Sequence, residues 1–113
     1  MKQVKAIIQP HMTNRVLEAL HELPHFPGLT IFEVSGQGRG CGPGGGYKPD
    51  IADIFEHKKR LIEIVCTDDI AEKIAETIRV AAHTGRHGDG IIVITEIQEV
   101  IRIRTGEKHE GAV

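Results

Sequence analysis

A glycine-rich stretch near the middle of the chain constrains the fold more than any other feature. Between Gly36 and Gly46 seven of eleven residues are glycine, with Pro43 among them, and only a loop tolerates such backbone entropy. No helical or strand period is sustained from Gly38 to about Glu56, and so long a structureless loop in a 113-residue chain is usually functional. Its tip carries Tyr47, Lys48 and Asp50, and Ile51, Ile54 and Phe55 are apolar residues suited to docking on a partner. Regular structure must therefore come from the patterned segments on either side.

Before the loop, Val4, Ala6, Ile7 and Ile8 predict a strand buried on both faces and stopped by Pro10. Thr13 offers an N-cap to an amphipathic helix in which Val16, Leu17, Leu20 and Leu23 recur at helical steps, ended by Pro24 and Pro27-Gly28. Leu29 to Ser35 is rich in β-branched and aromatic residues and predicts a second strand. After the loop, Lys58 to Cys66 predicts a third strand, its buried run Leu61 to Cys66 interrupted by Glu63. Thr67 and Asp68 are N-cap candidates for a second helix, and Asp68, Asp69 and Glu72 fall in its first turn, where the dipole favours acids. Ile70, Ala71, Ile74, Ala75, Ile78 and Ala82 form its buried stripe, with Gly85 as C-cap. Ile91 to Thr95 predicts a fourth strand, followed by a tail with Val100, Ile101 and Ile103. This β-α-β, loop, β-α-β order predicts a single α+β domain over 1–113, ferredoxin-like, with two helices on one face of an antiparallel four-stranded sheet.

Composition narrows the function. A net charge of −2, from 14 basic and 16 acidic residues, argues against a nucleic-acid partner, and the densest basic run, Lys58-Lys59-Arg60, reads as the edge of a strand. No apolar run approaches the roughly 18 residues that cross a bilayer, so membrane insertion is not expected. The N-terminus enters a strand directly, without signal-peptide character, and the two cysteines lie in unrelated settings. A reduced, cytoplasmic protein is expected.

Two segments suggest an anion site. Thr84-Gly85-Arg86-His87-Gly88-Asp89-Gly90 lies between a helix and a strand, and its glycines suit a tight turn that presents backbone N–H groups to phosphate oxygens. Arg102 and Arg104, two apart on an extended segment, face the same way, and guanidinium forks match phosphate bidentately. A plain turn and two solvated arginines are the competing interpretation. Gly40-Cys41-Gly42-Pro43-Gly44-Gly45 fits GxGxxG in spacing but opens no helix, which rejects a dinucleotide site, and no Walker motif is present. His21 and His25 are separated by Pro24, which breaks helical register, so no metal site is expected. Cys41, near Arg39, is either a redox or metal-contact thiol or an unused loop cysteine, and Cys66 reads as a small core residue. No serine or cysteine has a base at recognisable spacing, and Glu63, the one carboxylate flanked by core signals, is either a catalytic base or a salt-bridge partner. A non-enzymatic binding protein is expected.

Taken together, Ala6-Ile7-Ile8-x-Pro10, Gly28-Leu29-Thr30-x-x-Glu33-Val34 with Gly36-x-Gly38-Arg39, Ile62-Glu63-Ile64-Val65, Thr84-Gly85-x-x-Gly88-Asp89-Gly90 and Arg102-Ile103-Arg104-Thr105-Gly106-Glu107 resemble the P-II nitrogen-regulatory signal proteins over nearly the whole chain. The resemblance implies a homotrimer with adenine nucleotides, ATP or ADP, in the clefts between subunits. It also implies a protruding loop, about 38–56, that contacts a membrane transporter or metabolic enzyme. The family's nucleotide contacts fall on Ile7, Gly28, Leu29, Thr30, Gly36, Gln37, Gly38, Arg39, Glu63, Ile64, Val65, Gly88, Asp89, Gly90, Arg102 and Arg104.

This chain departs from that family at informative positions. Gly40 stands where 2-oxoglutarate sensors carry a glutamine that holds magnesium and the oxo-acid, so weak or absent 2-oxoglutarate sensing is expected and a magnesium role is left open. Ile91 stands where a lysine reaches the phosphates, while Lys59 lies near the family's oxo-acid lysine. An alternative is a P-II-like trimer that senses a metal ion or another nucleotide through Cys41 and nearby histidines, coupled to a metal or bicarbonate transporter; a nucleotide hydrolase using Glu63 is a third reading. The uridylylated tyrosine of enteric members has no counterpart in Pro49-Asp50-Ile51-Ala52-Asp53, and Tyr47 corresponds to a different loop tyrosine. Incubation with a uridylyltransferase and UTP should therefore leave the intact mass of the protein unchanged.

Overall fold

Side-chain alternation along the first strand sets the layers of the structure. The computed structural model describes residues 1–37 and 57–113. In β1 (Lys2–Ile8), Val4, Ala6 and Ile8 are buried while Lys5 and Ile7, on the opposite face, are half-covered. The elements that follow are α1 (Thr13–His21), β2 (Thr30–Ser35), β3 (Lys58–Cys66), α2 (Asp68–Ala82) and β4 (Gly90–Glu96). The strands form one sheet in the order β2-β3-β1-β4, and each neighbouring pair is antiparallel. This is the ferredoxin-like α+β arrangement, with β1 and β3 central.

Both helices supply the same core. Val16 and Leu20 of α1 and Ala71, Ile74, Ile78, Ala81 and Ala82 of α2 cluster with Val4, Ala6, Ile8, Ile62, Ile64 and Cys66. The sheet residues in that cluster all lie on one face, because the pairings Ala6–Ile62 and Val4–Ile64 place them side by side. Ile62 and Ile64 alternate with Leu61, Glu63 and Val65, which are half-covered on the other face. The expectation that β1 and the run Leu61 to Cys66 are buried on both faces is thus corrected. Helices cover one face only, and the near-continuous apolar reading arises because the other face also carries apolar residues. There Phe32, Leu61, Ile7 and Ile91 stand in register across all four strands.

Helix ends differ from expectation in two places. Thr13 is the first residue of α1 rather than its N-cap; a 3-10 turn over Pro10–Met12 leads into the helix, and the Thr13 hydroxyl donates to the Pro10 carbonyl at 2.6 Å. The fixed φ of Pro10 starts the helical path early. At the other end of the domain α2 stops at Ala82, His83 is extended, and Gly85, with φ +85°, belongs to the turn beyond rather than to the cap. Among the described residues no helix is long and apolar enough to cross a membrane.

Ile62, fully buried on a central strand, carries the core in a way the exposed Ile103 does not. Ile62→Ala should lower unfolding free energy by about 2–5 kcal/mol. Ile103→Ala should stay within about 0.5 kcal/mol, and urea denaturation of the two variants checks the contrast.

Candidate functional site

The Thr84–Gly90 turn is held by one carboxylate. Asp89 Oδ2 accepts hydrogen bonds from the Thr84 amide at 2.8 Å and the Gly85 amide at 3.0 Å, and the Thr84 hydroxyl donates to Asp89 Oδ1. His83 Nδ1 lies 3.7 Å from the same Oδ2. Burial alone would raise the Asp89 carboxyl, but the hydrogen bonds from Thr84 and Gly85 and the nearby His83 outweigh it and hold the group below its ordinary value. Asp89 therefore closes the turn on itself. The amides of His87 and Gly88 have no acceptor among the described residues, which leaves two donors of the turn available to a ligand.

Two side chains, one from the residue after β1 and one from β3, reach the turn. Gln9 Nε2 donates to the Gly88 carbonyl at 2.6 Å, and Lys59 Nζ approaches the same oxygen at 3.3 Å. Lys59 is only 7% exposed although it faces away from the helices, and burial pushes its ammonium below the ordinary lysine value against the opposing pull of Asp89. The turn then enters β4 through Gly90, whose φ is +109° and where a Cβ would lie 1.7 Å from the Ile7 carbonyl oxygen. Only glycine fits there. A groove of about 330 Å³ opens beside Gly90, lined by Ile7, Ile78, Ala82, Ile91 and Ile92 together with Arg79, His83 and Asp89.

A second part of the site lies on β3. Because β2 begins at Thr30, opposite Glu63, Ile64 and Val65 run past it with one backbone edge unpaired among the described residues. Gly28, with φ +101°, and Leu29 lead into β2 at that point. Glu63 faces away from the core, where its carboxylate accepts a hydrogen bond from Gln3 at 2.9 Å, and so it is not the buried carboxylate suggested by its flanks. The Ile64 side chain is sealed in the core, which leaves its backbone as the part able to meet a ligand. At the far end of β2, Gly36 donates its amide to the His57 carbonyl at 3.1 Å and Gln37 is exposed.

The tail arginines are arranged differently from the extended segment expected. Residues 103–105 form a turn: Arg102 N donates to Glu107 O and Gly106 N to Arg102 O, both at 2.8 Å, and Ile101 bridges Lys108. Gly106, with φ +74°, permits the reversal, so the same-face argument for Arg102 and Arg104 does not apply. Arg102 is half-buried and its Nε is enclosed without a hydrogen-bond partner, while Arg104 is exposed. No hydrogen bond or ion pair among the described residues joins these arginines to Gly88–Gly90 within one protomer. Gly38, Arg39, Cys41, Tyr47, Lys48, Asp50, Ile51, Ile54 and Phe55 lie outside the described residues. Sequence reasoning missed Gln9 and the depth of Lys59, because neither stands in a motif that signals a contact with a turn nearly thirty or eighty positions away.

Comparison with known proteins agrees with this architecture. The family model described as nitrogen regulatory protein P-II matches residues 1–107. The chain is 43% identical over 113 residues to the nitrogen regulatory protein P-II of Azospirillum brasilense, covering all of both chains. It is 44% identical over 115 residues to that of Bradyrhizobium diazoefficiens, again over the full length of both. It is 42% identical to the nitrogen regulatory protein P-II 2 of Methanothermobacter thermautotrophicus, covering 100% of this chain and 97% of the relative. The chain therefore belongs to the P-II family of nitrogen regulatory, signal-transducing proteins.

Asp89 makes the turn sensitive to acid. Its carboxyl is depressed in the folded state, so its contribution to stability is present above the unfolded value near 3.8 and is lost as pH falls through the lower folded value. Asp89→Asn should cost about 1 kcal/mol near pH 7. The difference from the parent should shrink below about pH 4, as followed by urea denaturation across pH.

Proposed function

We propose that this chain is a homotrimeric, non-catalytic regulator that binds ATP and ADP competitively in the clefts between protomers. It passes their ratio to a membrane transporter or metabolic enzyme in the cytoplasm through the 38–56 loop. The observation that carries this reading is the turn itself: Asp89 satisfies its first amides internally, and those of His87 and Gly88 are left open beside the nearly buried Lys59 ammonium. Such a concavity favours an anion with several oxygens. The enclosed, unpartnered Arg102 Nε supports the same reading, because a buried donor without an acceptor fits a site completed by a ligand.

In this reading the phosphates lie against Gly88, Asp89 and Gly90, and Arg102 and Arg104 of a neighbouring protomer close over them, since no hydrogen bond or ion pair among the described residues joins the two segments within one protomer. The base lies against Ile7, Glu63 and the unpaired edge of Ile64 and Val65, whose backbone groups suit the hydrogen-bonding edge of adenine. Gly28, Leu29, Thr30, Gly36, Gln37, Gly38 and Arg39 complete the cleft. The apolar row Phe32, Leu61, Ile7 and Ile91 supports the trimer, since a sheet face of this kind calls for a partner surface.

Selectivity follows from side chains that lack charge. Ile91, 61% exposed, supplies no ammonium beside the turn, so the added charge of a third phosphate has one cation fewer to meet. Gly40 supplies no side chain to hold magnesium and a 2-oxo acid. Nucleotide binding shifts the loop between two populations, because ATP and ADP contact the Gly38-Arg39-Gly40 segment differently.

Calorimetric titration with ATP and ADP, each with and without magnesium and 2-oxoglutarate, tests the proposal. Mutually exclusive binding of the two nucleotides, with affinity unchanged by the oxo-acid, is expected. Failure of both nucleotides to bind at millimolar concentration rejects the reading.

A further inference from the structure

The Gly88 carbonyl accepts two donors of very different quality, 2.6 Å from Gln9 Nε2 and 3.3 Å from Lys59 Nζ. We propose that Gln9 is the positioning residue of this site: its side-chain amide, rather than the Lys59 ammonium, fixes the Gly88 carbonyl and with it the Thr84–Gly90 turn.

The Gly88–Asp89 peptide needs such a strut. On its N-terminal side it is bounded by Gly88, at φ +91°, which has no side chain to restrain the plane, and the orientation of the Gly88 carbonyl sets that of the Asp89 amide across the same bond. Gln9 is built to supply it. Its backbone is pinned on one side by the pairing of Ile8 with Gly90 and on the other by Pro10, which restricts the preceding residue to the extended conformation seen at φ −69° and ψ 137°. The side chain therefore starts from a fixed point at the same end of the sheet as the turn. The 2.6 Å contact is much the closer of the two, and 3.3 Å lies beyond the usual range of roughly 2.7–3.2 Å for N–H···O bonds.

Lys59 is in the opposite position. It reaches the carbonyl from a four-carbon stem, burial disfavours its charged form, and among the described residues the Gly88 carbonyl is the acceptor it has. An ammonium has three donors, so most of its capacity is uncommitted. Division of labour follows: with Gln9 holding the turn, the ammonium can swing to an incoming anion without releasing the backbone that the same anion contacts. The ligand arm of this inference rests on the nucleotide reading above, but the strut itself does not.

The test is made on the full-length chain without ligand, by NMR solvent-exchange rates of the Thr84 and Gly85 amides. Gln9→Met keeps the shape and removes the donor, and should raise both rates roughly five- to tenfold while Ile74 and Ile78 in α2 stay as in the parent. Gln9→Lys, which keeps a donor, should return them to within about twofold, and Lys59→Met should also stay within about twofold of the parent. In the second arm, ADP affinity should fall roughly five- to tenfold in Gln9→Met and recover in Gln9→Lys. Unchanged exchange in Gln9→Met, or a rise confined to Lys59→Met, overturns the proposal. Faster exchange in Gln9→Met with no ADP binding even by the parent keeps the strut and rejects the nucleotide reading instead.

Discussion

The contact between Gly90 and the carbonyl of Ile7 holds the rest of the site in place. With 1.7 Å between that oxygen and any Cβ at position 90, the backbone of β4 lies against β1 as no other residue would allow, and this closeness sets where the edge strand begins. Because Ile8 pairs with Gly90, the turn that precedes β4 arrives at the end of β1, where Gln9 and Pro10 follow. Lys59 reaches the same point from β3, the other neighbour of β1. Side chains distant in sequence thus converge on one carbonyl because Ile8 of β1 pairs with Arg60 of β3 on one side and with Gly90 of β4 on the other.

The layer arrangement explains why this end of the sheet is usable. Helices α1 and α2 consume one face, burying Ile62, Ile64, Ile74 and Ile78 among others, and none of the chemistry lies there. The opposite face keeps apolar residues in register across the strands, mixed with Lys5 and Glu63, which pair across the centre. A sheet that is apolar on both faces but covered on one is suited to assembly. In the proposed trimer that assembly would also complete the ligand cleft, since no hydrogen bond or ion pair among the described residues joins the Arg102–Arg104 turn to Gly88–Gly90 within one protomer.

Much of this was legible in the sequence, for physical reasons that differ by element. Strand and helix order followed from periodicity and from Pro10, Pro24 and Pro27, which act locally. The bounds of β3 matched at Lys58 and Cys66, because charged residues and then a helix start flank its apolar run. Burial was misread on β1 and β3 because an apolar face left uncovered looks the same in sequence as one covered by helices. The shape of the Arg102–Glu107 segment was misread because Gly106 redirects the chain through a backbone bond to Arg102, which alternation rules do not register. At the turn, the glycines marked the place and Asp89 was visible as a member. That Asp89 spends its acceptors on Thr84 and Gly85, and that Gln9 answers Gly88, are facts of three dimensions.

In the proposed trimer the ligand site lies between protomers and is finished by them. Native mass spectrometry of the protein loaded with ADP tests it most directly. A three-chain assembly carrying up to three nucleotides is expected, with none retained by the single chains released on activation. A monomer that binds ADP on its own, or a stable trimer that retains none, contradicts it.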